Sequence, residues 1–85
     1  MRGEAEPYVR IADGEPVQVV RYHDDPGGLR AWGGTAVTVA GHPPGAFVGP
    51  TEVFAGDRVV RDGDGGLRVV RPFHFRNLYR RRPDK

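Results

Sequence analysis

Three groups of residues in this chain have types and spacings that could do chemistry. His23, Asp24 and Asp25 are consecutive, and an imidazole beside carboxylates can share a cation or pass a proton. The other two histidines, His42 and His74, stand far off in sequence with no ligand-pair spacing. A surface histidine beside helix-capping aspartates is therefore the better reading. Asp62 and Asp64 alternate in DGDGG (62–66) as the opening of a calcium loop does. Such a loop needs a carboxylate at its twelfth position, and counting from Asp62 that position is Phe73. The stretch reads instead as a hairpin turn. The third group is Arg76, Arg80, Arg81 and Arg82 around Tyr79. Guanidinium groups there could contact phosphates while Tyr79 or Phe73 stacks on a base. No nucleic-acid-binding motif accompanies them.

Nucleophilic catalysis has little to work with. The chain contains neither serine nor cysteine, and Thr35, Thr38 and Thr51 have no neighbouring base. No phosphate-binding glycine motif occurs in a strand–helix setting. The sequence therefore predicts a protein that is not an enzyme, with no catalytic residue, no metal site and no cofactor.

The charge is uneven. Residues 66–85 carry seven basic groups against one acid, while residues 1–65 carry six against ten. A basic end on an acidic body can attract a polyanion or complement an acidic partner. Twelve arginines to one lysine, with 13 glycines and 8 prolines, is also what a GC-rich genome writes without functional selection. At 85 residues the chain is expected to form one domain, 1–85, with flexible ends at 1–7 and 81–85. No run approaches the ~20 apolar residues of a membrane helix, and the N-terminus lacks the apolar stretch of a signal peptide. The expectation is a cytoplasmic protein with no membrane association.

Glycine and proline punctuate the chain every few residues, so the elements that position these groups must be short. YVRIA (8–12), PVQVVRY (16–22) and TAVTVA (35–40) read as strands, and FVGPTEVFA (47–55) as a strand interrupted at Gly49-Pro50. Residues 26–32 follow two aspartates, open with a proline and end before Gly33-Gly34, which predicts a short helix. Arg58–Arg61 and Leu67–Arg71 are the arms of a hairpin across DGDGG. Pro72 then starts a helix over 72–80, in which Phe75, Leu78 and Tyr79 share one face.

The same C-terminal residues resemble the PGDYG family of small, mostly phage- and prophage-associated proteins. Gly56-Asp57 stands where that family begins a short strand and Gly65 where it turns, and Pro72, Phe75 and Tyr79 keep its intervals. The N-terminal half matches more loosely, through Pro16–Val19 and Leu29–Gly34. Ala55 replaces the family's usual proline and Arg58 a common aromatic. The resemblance supports the fold and implies no catalytic residue.

Together these readings predict an α+β domain, with four to six short strands in a curved sheet or small barrel, one short internal helix and a C-terminal helix. The expected core is Val17, Val19, Trp32, Val37, Val39, Phe54, Val60, Val69, Phe75, Leu78 and Tyr79. The expected function is a non-catalytic binding or accessory module for protein interaction, assembly or self-association. Nucleic-acid or nucleotide binding through Arg76, Tyr79, Arg80, Arg81 and Arg82 is the alternative.

Overall fold

A computed structural model describes residues 5–82. The α+β class holds, with eight short strands in two sheets rather than four to six in one. The strands are β1 (Glu6–Arg10), β2 (Pro16–Arg21), β3 (Val37–Ala40), β4 (Gly45–Val48), β5 (Thr51–Val53), β6 (Arg58–Arg61), β7 (Leu67–Val70) and β8 (Tyr79–Arg81). The helices are α1 (Pro26–Gly33) and α2 (Pro72–Leu78). One sheet runs β7-β6-β2-β1-β8 and the other β3-β4-β5, all neighbours antiparallel. No helix among the described residues is long and apolar enough to cross a membrane.

β2 lies at the centre of the larger sheet, and both of its faces are covered. Val17 and Val19 pack with Val60, Val70, Tyr79 and Phe75 of α2. Val20 and Tyr22 point the other way and pack with Leu29 of α1, Val37, Ala46, Val53 and Val59. The larger sheet therefore sits between α2 and a layer formed by α1 and the smaller sheet. A strand with one solvated face alternates apolar and polar residues, whereas one covered on both sides need not. This is why the sequence reading, built on alternation, missed Val20, Tyr22 and Val59.

Local signals account for the ends of the elements. The Asp25 carboxylate accepts a hydrogen bond from the Gly28 N–H at 3.1 Å and caps α1. Pro26 takes the first turn, and Gly34 leaves the helix at a φ of 68°. In DGDGG the Asp64 carboxylate accepts from Gly66 N–H at 2.9 Å, and Gly65 has a φ of 91°. The Asp62 carboxylate receives Arg10 at 3.4 Å and Arg68 at 3.3 Å. Its aspartates thus serve the turn and its flanks. Gly49-Pro50 is a tight turn that divides the expected interrupted strand into β4 and β5.

Two expected core residues are exposed, Leu78 by 49% and Phe54 by 52%. α2 ends at Leu78, and Tyr79 adopts φ −137° and ψ 149° as the first residue of β8. The 100° helical step between Phe75, Leu78 and Tyr79 thus stops one residue early. Tyr79 is buried by the sheet, and Leu78 is left at the surface. Phe54 lies past the end of β5 in a turn, where its ring is covered by the Arg71 guanidinium, 5.2 Å from the ring centroid. Trp32, Val39 and Val69 are half-buried, Trp32 beneath the Arg61 guanidinium at 4.1 Å.

Near the ends of the described residues, Arg81 pairs with Tyr8 and Glu6 with Val19. Residues 1–4 and 83–85 lie outside the described residues.

Candidate anion-binding cleft

β-pairing places three arginines on one face of the larger sheet. Antiparallel register sets Arg21 of β2 directly opposite Arg58 of β6. Arg81 of β8 stands opposite Tyr8 of β1, whose other neighbour is Val17 of β2. Side chains alternate along a strand, so Arg21, Arg58, Tyr8 and Arg81 project to the side that carries α2. They line an open cleft of about 420 Å³ together with Glu6, Val19 and His23.

Two of the three guanidinium groups rest on an aromatic floor. Tyr8 meets Phe75 edge-on with ring centroids 5.0 Å apart, and Phe75 stacks on Tyr79 at 5.3 Å. The Arg58 guanidinium lies 5.3 Å from the Phe75 centroid and that of Arg81 5.4 Å from Tyr8. Cation–π contacts of this kind hold a guanidinium in place while leaving N–H groups free to donate. Arg58 also donates to the Gly56 carbonyl, and Arg81 pairs with the Glu6 carboxylate at 2.9 Å. The side chains of Arg21 and His23 have no hydrogen-bond or ion-pair partner among the described residues. Among the described residues, three guanidinium groups thus face a single carboxylate.

The arginines singled out from the sequence do not gather in one place. Arg81 joins the cleft, and the alternation of β8 sends Arg80 to the opposite face. Arg76 is exposed in the last turn of α2. Arg82 lies with Arg61 and Asp62 in a separate shallow hollow of about 270 Å³. Tyr79 is only 3% exposed, so its ring is spent on the core rather than offered to a base. Phe73 is 70% exposed and leans against His74 at 4.3 Å. Arg21, Arg58 and His23 went unnoticed as a group because they are brought together by pairing between distant segments.

The motif residues from Gly56 to Tyr79 form a structural clasp. Asp57 is 2% exposed; its carboxylate accepts the Phe54 N–H at 2.8 Å and pairs with the Arg71 guanidinium. Its backbone carbonyl accepts the Tyr22 N–H at 2.9 Å, while Gly56, at a φ of 94°, donates its N–H to the Tyr22 carbonyl at 2.8 Å. Pro72 and Phe75 then set the helix against the sheet.

His23 and Glu6 share the cleft, but Glu6 is held by Arg81 and makes no hydrogen bond with His23. Among the described residues no three His, Asp or Glu side chains gather as metal ligands would.

No protein-family model, no curated protein and no solved structure matches this chain.

Proposed function

We propose that this protein is a small non-catalytic binding module whose ligand is anionic and sits in the Arg21–Arg58–Arg81 cleft. The observation that carries this reading is the pairing of Arg21 with Arg58. Like charges directly opposite each other across a sheet are destabilising, by about 0.2–1 kcal/mol. A bound anion turns that cost into attraction, because guanidinium forks donate charge-assisted hydrogen bonds to oxyanions. The aromatic floor supports the same reading, since it orients Arg58 and Arg81 before any ligand arrives.

A protein partner or a second copy has support of another kind. β7 and β8 are the outer strands of one sheet, and β3 and β5 those of the other. Such edges can accept an added strand. Every open sheet has edges, whereas a pair of opposed arginines beside an aromatic floor is particular to this one, so the cleft is the more specific feature.

Thermal unfolding in the presence of sulfate, phosphate and citrate tests the proposal against chloride at equal ionic strength. Multivalent anions are expected to raise the unfolding temperature of the parent. Arg21→Ala is expected to be at least as stable as the parent in chloride, because it removes the repulsion, and to lose most of the anion response. Equal response of parent and variant to all anions would remove the cleft from consideration.

A further inference from the structure

Resting on the anionic-ligand reading, we infer that the occupant is a phosphate monoester on a molecule of about nucleotide size, and not a polyanionic chain. Three features of the charge arrangement lead there.

The first is the geometry of the donors. Arg21, Arg58 and Arg81 come from three different strands and line the same cleft on one face of the sheet. A carboxylate is planar and is satisfied by one or two forks. A phosphate monoester presents three terminal oxygens and a charge near −2 at neutral pH, which suits several convergent guanidinium groups.

The second is that, among the described residues, several other arginines are paired with carboxylates. Arg10 and Arg68 are both held by Asp62, and Arg71 by Asp57. Arg80 lies on the other face of its strand. Proteins that hold single strands or duplexes track the backbone with an extended positive groove. Here carboxylates interrupt the run of described arginines.

The third is size. A cleft of about 420 Å³ falls within the 300–1,000 Å³ usual for small-molecule sites. The guanidinium groups would hold the phosphate, and the half-buried Tyr8 ring would flank the organic part.

Glu6 gives the inference a signature that a structural role would not produce. Its carboxylate engages Arg81 at 2.9 Å, and both side chains are more than half exposed, 51% and 61%. A phosphate must share Arg81 with it and tolerate its charge, so Glu6→Gln should tighten binding.

Isothermal titration of the full chain tests this with adenosine monophosphate, ribose 5-phosphate, inorganic phosphate, adenosine, and an oligothymidine with hydroxyl ends. The two esters are expected to bind, each more tightly than inorganic phosphate, and adenosine is not. Arg21→Ala and Arg58→Ala should each weaken ester binding by about 10- to 100-fold, the effect of losing one charged hydrogen-bonding group. Glu6→Gln should tighten it at least twofold. Oligothymidine binding more tightly than the esters, or ester binding indifferent to Arg21→Ala, would overturn the inference. If sulfate and citrate stabilise the fold through Arg21 while the esters show no preference, the ester assignment falls and the anion reading stands. If no anion binds, both fall.

Discussion

The buried carboxylate of Asp57 pairs with the Arg71 guanidinium across the turn that joins β5 to β6 and the residue that precedes α2. The contact ties three elements at one point, because the same carboxylate also accepts the Phe54 N–H. Asp57 is nearly inaccessible while Arg71 is 37% exposed, so the two partners should not be equivalent. Asp57→Ala leaves a buried N–H unsatisfied and strands Arg71, and should cost about 2–3 kcal/mol. Arg71→Ala should cost more, since it leaves the buried Asp57 carboxylate without its counter-charge. Urea unfolding of both variants checks the order, and equal losses would contradict the clasp described here.

Tyr22 supplies a pH dependence. Burial pushes its hydroxyl above its usual pKa of 10.0, and Asp24, Asp25 and Glu52 push in the same direction. The neutral form is favoured in the folded protein, so the unfolded state loses its proton first. Stability from this residue is complete below about pH 10 and falls as the pH rises above it. Its hydroxyl is buried without a hydrogen-bond partner among the described residues, so Tyr22→Phe should be neutral or stabilising at pH 7. Unfolding temperatures of parent and Tyr22→Phe from pH 7 to 11 should diverge above pH 10, with the variant falling less.

Gly33 marks a close approach between α1 and its surroundings. A Cβ there would lie 2.5 Å from Val37 Cγ2 and 3.0 Å from Leu67 Cδ1. Val37 is fully packed at 1% exposure and has no room to yield. Gly33→Ala should therefore destabilise by about 1–3 kcal/mol through overpacking, despite alanine's better helix propensity. A chemical denaturation midpoint at or above the parent's would refute this.

The early end of α2 separates two neighbours that a longer helix would have buried together. Phe75→Ala should cost about 3–5 kcal/mol, as for other buried aromatic residues. Leu78→Ala, at a half-exposed position, should cost under about 1 kcal/mol. If the helix ran on to residue 80, the two losses would be of similar size, and comparison of the two unfolding free energies decides the matter.

Much of this architecture was legible in the chain. Asp25-Pro26 at the head of α1, Gly65 in the β6–β7 hairpin and Pro72 at the start of α2 all act where the sequence placed them. The reason is that capping, turn formation and helix initiation are settled within a few residues. The apolar face of β2 at Val17 and Val19 was readable for the same reason, as strand alternation is a local pattern.

The candidate site was not legible. Arg21 and Arg58 are 37 positions apart and become neighbours only because β6 pairs with β2. Arg81 looked like part of a solvated basic tail until β8 paired with β1. Strand pairing between distant segments depends on which faces can be buried together, and a one-residue slip would send each arginine to the other side. By itself the sequence determined the α+β class, the turns, the caps and an excess of arginine at one end. The tertiary structure decided which arginines share a face and which are neutralised, because register and burial, not composition, set the distance between charges.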